Sequence, residues 1–144
     1  MSDKPFTPAL GFRALTPLYD SAVGLLTREN TWRRQLIDLV DPQPHDCILD
    51  VGCGTGSLMV GLGRREPNAA LIGLDPDPNV LAIAQKKLDD LGLRASWRQG
   101  FLDDDAVDSL GHVTKIVSSL VLHQTQLSEK ATILTNSRKV LGDN

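Results

Sequence analysis

Two aspartates and a set of three glycines have types and spacing suited to chemistry. Asp50 is followed by Gly52, Gly54 and Gly56, with Cys53 and Thr55 between them. Glycine is needed where the backbone takes positive φ or a ligand comes close. A turn of this kind ahead of a helix aims unpaired N–H groups and a positive dipole end at whatever occupies the loop. In dinucleotide sites the spacing is G-x-G-x-x-G and the loop packs a pyrophosphate. Here it is G-x-G-x-G, with Ser57 where the last glycine of the dinucleotide pattern would stand. A carboxylate at position 50 would repel a pyrophosphate and attract a cation, such as the ammonium of an amino acid. Two other readings stay open: a tight strand-to-helix turn without a ligand, and a variant dinucleotide site.

Asp75 lies nineteen residues past Gly56, at the end of a second apolar run. A carboxylate there can accept two hydrogen bonds from the cis-diol of a ribose. The alternative is that Asp75-Pro76-Asp77-Pro78 is only a helix-entry turn. Asp103-Asp104-Asp105 is either a ligand-side acid or a solvated run that starts a helix. His123 follows the apolar stretch Lys115–Leu122 and is better placed for proton transfer than His45 or His112. A general base is needed only where an acceptor must lose a proton, and a lone histidine is more often structural.

These residues need strands that end at the site and helices that begin there. Cys47–Val51, Ala70–Leu74 and Lys115–Leu122 are apolar runs of the kind that become buried parallel strands. Ala95–Gln99 is less apolar, which suits a strand near an edge. Helices are expected to open near Ser57, to run from Val80 to Leu91 with Gly92 closing the end, and to run from Glu129 to Leu141 behind a Ser128 cap. From Leu18 to Val40 the apolar spacing is helical, broken near Thr27–Asn30, with Pro17 and Thr31 at the two helix starts and Asp41-Pro42-Gln43-Pro44 at the end. Residues 1–16 have little pattern and read as a mobile arm, ahead of a single domain over residues 17–144.

Asp50-Val51-Gly52-Cys53-Gly54-Thr55-Gly56, with Leu58 after it, resembles the glycine-rich motif of class I S-adenosylmethionine-dependent methyltransferases. The resemblance covers roughly residues 18 to 141 and implies S-adenosylmethionine as cofactor. It implies that Asp50, Gly52, Cys53, Gly54 and Gly56 hold the amino-acid end, that Asp75 and Pro76 hold the ribose, and that Phe101, Leu102 and Asp103 frame the adenine. The family usually carries an acid after the glycine corresponding to Gly100. Phe101 stands there instead, so either Asp103 supplies the acid or Phe101 stacks near the base. Ser118-Ser119-Leu120-Val121-Leu122-His123 is similar to the family's fourth-strand segment, which puts Ser118 and Leu120 along the methyl channel and His123 near the acceptor. Tyr19-Asp20 is similar to a pair that lies against the cofactor in the ubiquinone and menaquinone branch; a tyrosine packed on the core is an equal alternative. The expected fold is α/β, a Rossmann-like parallel sheet of order 3-2-1-4 with helices on both faces and a helical N-terminal segment. The expected function is methyl transfer to a small-molecule acceptor. The alternative is a non-catalytic, cofactor-binding remnant or interaction domain.

Composition is ordinary for a soluble protein. The 144 residues suffice for one buried core, 41% are hydrophobic, and the net charge of −3 gives no reason to expect nucleic acid as a partner. Arg33-Arg34 and Arg64-Arg65 read as solvated helix faces. No apolar run reaches the roughly 18 residues of a membrane span, and the first residues lack the apolar centre of a signal peptide. Cys47 and Cys53 suit neither a disulfide nor a metal site and read as reduced thiols of a cytoplasmic protein. Strands five to seven of the family have no counterpart before Asn144, so the fourth strand is expected at a sheet edge. Such an edge needs a cover, and a homodimer with a second copy is one account of it.

Overall fold

The computed structural model describes residues 29–119 and 126–142. Residues 1–16, the helical spacing from Leu18 to Leu26, Tyr19, Asp20, Leu120 and His123 lie outside the described residues. Within them the order is α1 (Glu29–Val40), β1 (Cys47–Val51), α2 (Ser57–Arg65), β2 (Ala70–Asp75), α3 (Pro78–Asp90), β3 (Ser96–Gln99), α4 (Asp104–Ser109), β4 (Lys115–Val117) and α5 (Leu127–Leu141). The four strands form one sheet in the order β3-β2-β1-β4, and every pairing is parallel. The expected order and the edge position of β3 are both borne out.

Strand alternation sends successive side chains to opposite faces and so divides the core in two. Ile48, Leu71 and Val117 pack with Leu58, Met59, Leu62, Leu81 and Leu88 beneath α1, α2 and α3. Leu49, Val51, Ile72 and Leu74 pack on the other face with Leu102, Leu110 and Val113, against α4 and α5. Two glycines allow close approach on the first face. A Cβ on Gly73 would stand 2.7 Å from the Trp97 ring and 2.9 Å from Met59 Sδ, and one on Gly61 would overlap Ile37 Cδ1. The bare backbone of β2 thus accepts an indole laid over the sheet edge.

Several local boundaries differ from the expectation. Thr31 lies within α1 and does not cap it. Helix α3 starts earlier, at Pro78, because Asp77 caps it: the Asp77 carboxylate accepts from Asn79 N at 2.8 Å, and proline is tolerated in the first turn. Helix α5 starts at Leu127 with Gln126 as its N-cap residue, so Ser128 lies inside the first turn; the Glu129 carboxylate reaches back to accept from Gln126 N at 3.0 Å. Strand β4 covers Lys115–Val117, shorter than the apolar run that suggested it. The end of α3 agrees with expectation: Gly92 has φ 67, and Gly92 N and Leu93 N donate to Asp89 O and Leu88 O, a Schellman closure.

The lower end of the sheet, away from the glycine turn, is held by a buried acid. Asp46 accepts from Gln43 N at 2.7 Å and from Thr114 Oγ1 at 2.8 Å, and pairs with Lys115 Nζ at 2.7 Å. Burial raises the carboxyl's pKa, but these partners outweigh it and hold Asp46 down at about 2. The network joins the entry of β1 to that of β4 and so fixes how the sheet's upper ends line up.

Candidate functional site

The carboxyl ends of β1, β2 and β4 meet at the point where the strand order reverses, the usual place for a ligand in such sheets. The turn after β1 is held down on β2. Gly52 N and Cys53 N both donate to Leu74 O, at 2.7 and 3.1 Å. Gly54 N donates to Asp75 Oδ2 at 3.0 Å, and Gly56 N to Cys53 O at 3.0 Å. The N–H groups of Gly52, Cys53, Gly54 and Gly56 are therefore all engaged within the protein. Those four donors are thus withheld from a pyrophosphate, which speaks against the dinucleotide reading.

The three turn glycines do different work. All have positive φ: 71 at Gly52, 53 at Gly54 and 75 at Gly56. A Cβ on Gly54 would meet nothing within 4 Å, whereas one on Gly56 would stand 2.9 Å from Ala84 Cβ and 3.3 Å from Leu88 Cδ1. Gly56 is where α3 packs against the turn. Gly54 is where the backbone faces open space.

Asp50 and Asp75 project to the same face of the sheet, the face of α1–α3, as their register requires. Asp50 is 1% exposed, and neither carboxylate oxygen has a hydrogen-bond partner. Burial, and next the negative charge of Asp75, push its pKa up to about 7, while Arg33 pulls it down. Asp75 has partners on both oxygens, Gly54 N on one and Asp77 N at 2.9 Å on the other. Burial still raises its pKa, against those two hydrogen bonds. Cys53 is buried beside both acids, and its thiol is pushed strongly upward by burial and then by Asp50 and Asp75. It is a protonated, inert thiol.

Other expected site residues are placed less directly. Pro76 follows Asp75, and its carbonyl accepts from Gln99 Nε2 at 3.5 Å, joining the ends of β2 and β3. Leu102 is buried in the core on the α4–α5 side. Asp103 caps α4, its carboxylate accepting from Ala106 N at 3.0 Å, so the helix-start reading of this acid holds. Phe101 is 42% exposed. Phe101 and Asp103 line a cavity of about 280 Å³ with Arg98, Gln99 and Asp105. Leu74 and Leu110 also line it, which puts it on the α4–α5 face, away from Asp50. Ser118 Oγ donates to Val51 O at 3.0 Å and thereby ties the ends of β1 and β4 together. Tyr19, Leu120 and His123 lie outside the described residues.

Two residues on the side of the turn and one behind the loop after β3 have roles that the sequence reading did not give them. Arg33 is half-buried, with its guanidinium carbon 5.3 Å from the Trp32 ring centroid and its charge felt at Asp50; the solvated-face reading holds for Arg34 but not for Arg33. Lys87 reaches from α3 to donate to Thr55 Oγ1 at 3.2 Å and Ser57 Oγ at 3.0 Å. Asn136, 4% exposed, donates from Nδ2 to Leu102 O at 2.9 Å and pins the loop after β3. A buried asparagine in an otherwise ordinary helix was the available signal for the last; pairings between distant elements carry no signal in spacing.

The family described as methyltransferase domain matches residues 48–144. The chain belongs to that family. This methyltransferase domain is 37% identical over 98 residues to a demethylmenaquinone methyltransferase of Thermus thermophilus, covering 67% of the chain and 43% of that protein. It is 40% identical over 57 residues to a ubiquinone biosynthesis O-methyltransferase of Azorhizobium caulinodans, covering 40% of the chain and 22% of the relative. The solved structure of the S-adenosylmethionine-dependent methyltransferase SibL superposes on 94% of the chain with a TM-score of 0.69 at 22% identity, using 38% of its own length. The fold is thus that of the S-adenosylmethionine-dependent methyltransferases. The chain spans less than half the length of these relatives. Among the described residues no helix is long and apolar enough to cross a membrane, and no cluster of acids, histidines and cysteines could hold a metal ion.

Proposed function

We propose that this methyltransferase domain binds S-adenosylmethionine at the turn after β1 and transfers its methyl group to a small-molecule acceptor in the cytoplasm. The observation that carries the reading is Asp50: a carboxylate 1% exposed, with neither oxygen partnered. An unsatisfied buried carboxylate costs free energy, and a ligand ammonium is the group that would satisfy it. The donors of the turn are engaged and an acceptor is left open, which suits a cation. The names of the quinone methyltransferases support methyl transfer, and that of SibL supports the choice of cofactor.

When bound, the cofactor supplies a methyl group on a sulfonium, open to in-line displacement by the acceptor. The chain's own work is positioning and exclusion of water. Asp50 receives the ammonium. The Gly52–Gly56 turn shapes the floor, with the open side at Gly54. Asp75, each oxygen already accepting one backbone bond, keeps a lone pair on each for the ribose hydroxyls. In this reading the loop of Phe101, Leu102 and Asp103 is assigned to the base, and Ser118, Leu120 and Tyr19 are assigned to the methyl side by the family resemblance. His123 is the base for an acceptor that must lose a proton.

The test is calorimetric titration of the full chain with S-adenosylhomocysteine, with NAD as the control, followed by methyl transfer to demethylated quinone precursors. Binding of the homocysteine product but not of NAD, with turnover, is the expected result. Binding without turnover would assign the chain to the other class, a cofactor-binding domain that does not catalyse. Failure of a folded chain to bind would overturn the reading.

A further inference from the structure

The side chain of Asp50 lies on the α1–α3 face of the sheet near the end of β1 and meets no donor among the described residues. On its own face of the sheet stand Ile48 on β1, 1% exposed, Val117 opposite it on β4, 6% exposed, and Gly73 opposite it on β2, so no polar side chain of the sheet adjoins it there except Asp75. Among the described residues, the charged groups felt at Asp50 are Asp75 at the end of β2 and Arg33 on α1, and the Cys53 thiol on the turn feels both acids. Backbone N–H groups of Gly54 and Asp77 donate to the two oxygens of Asp75 and favour its anionic form. Two carboxyls behind one turn, one hydrogen-bonded as an anion and the other without any donor, divide the charge unequally.

We propose that the domain takes up its cationic ligand in exchange for a proton: Asp50 is a neutral carboxylic acid in the empty protein and becomes a carboxylate when an ammonium docks against it. The inference rests on the proposed cofactor reading and adds to it how that site responds to pH. The exchange balances. The ligand enters with its ammonium charged, the Asp50 O–H bond breaks, the electron pair stays on the carboxylate, and the proton leaves to the buffer. Asp50 and the ammonium together then carry no net charge, as the neutral acid did before binding, which avoids burying either group as an isolated ion.

The geometry has a consequence for affinity. Below the titration of the empty site, each unit of falling pH weakens binding by up to tenfold, since the proton competes with the ligand. Above it, Asp50 is already ionised and no proton is released.

The test is titration of the full chain with S-adenosylhomocysteine at pH 6, in buffers of widely different ionisation enthalpy. The ligand's own amine is fully protonated there, so a proton that appears in the buffer comes from the protein. Close to one proton released per ligand at pH 6, falling towards zero by about pH 8.5, is the expected result, together with affinity that rises by several-fold from pH 6 to pH 7. Asp50→Asn, which keeps the shape and cannot ionise, should bind more weakly at pH 8 and release no proton at pH 6. Equal heats in all buffers at pH 6 with binding intact would overturn the exchange and leave the cofactor reading standing. Proton release that persists in a folded Asp50→Asn chain would overturn the assignment to Asp50. Absence of binding by the folded wild-type chain would remove the cofactor reading, and the exchange with it. Should the variant not fold, a carbon-13 carboxyl titration of the aspartate-labelled wild-type chain decides: a carboxyl that titrates near neutrality in the empty protein and no longer does so with ligand supports the exchange, and its absence overturns it.

Discussion

Asp75 Oδ2 accepts a hydrogen bond from Gly54 N at 3.0 Å, so the last residue of β2 holds the glycine turn that follows β1. The same carboxylate accepts from Asp77 N on its other oxygen, which places the start of α3. One side chain therefore sets the relative position of the turn and of the neighbouring helix, before any ligand is considered.

Replacing Asp75 with alanine removes the acceptor for two backbone N–H groups. The expected loss is about 2 kcal/mol of stability, read by urea unfolding, and at least a tenfold loss of S-adenosylhomocysteine affinity, read by calorimetry. Retained affinity in a folded variant would show that Asp75 serves the turn alone.

Gly54 and Gly56 should separate binding from stability. Both have positive φ, but only the Gly56 position is closed by Ala84 and Leu88. Gly56→Ala is expected to cost about 2–3 kcal/mol, from backbone strain plus displacement of α3. Gly54→Ala should cost about 1 kcal/mol and yet impair ligand binding more, since its methyl enters the open side of the turn. Denaturant midpoints and binding constants for the pair check the opposite rankings.

The two buried acids give pH dependences of opposite sign. Asp46 is held at about 2, below the ordinary 3.8, so its contribution is present above about pH 4 and is lost as pH falls through 2. Asp50 is raised to about 7, so the folded, empty protein binds more protons than the unfolded chain between those values. Its effect lowers stability as pH rises from about 4 to 7, and ligand should cancel it. Unfolding free energies of the wild type, Asp46→Asn and Asp50→Asn between pH 2 and pH 8 would show the acid-side slope reduced in the first variant and the neutral-side slope reduced in the second.

Asn136→Ala leaves the buried Leu102 carbonyl without its donor. A loss of about 1–3 kcal/mol is expected, with the loop after β3 loosened, and hydrogen exchange at residues 100–103 should rise. Unchanged exchange there would mean that capping by Asp103 suffices to hold the loop.

What the sequence alone determined is the architecture and the identity of the acids at its upper edge. Apolar runs of strand length alternating with helical spacing leave few arrangements, and short-range chemistry marks the turns: Asp50 before three alternating glycines, Gly92 after a helix, Asp103 before one. These are local properties, carried by residues a few positions apart. The boundaries set by competing caps were less legible, because Asp77 against the Val80 start and Gln126 against Ser128 differ by fractions of a turn in which several residues could accept the first N–H groups.

Only the tertiary structure decided what those acids do to one another. Spacing cannot say that Asp75 faces Gly54, that Asp50 faces no donor, that Arg33 turns inward while Arg34 does not, or that Gly56 is closed by Ala84. Each depends on distances between side chains brought together by the β1–β2 register and the packing of α1 and α3, and burial, which removes water as the alternative partner, is a property of the assembled fold. That is why the sequence could name Asp50 as a cation-seeking carboxylate, and only the fold could leave it buried, unpaired and inclined to keep its proton.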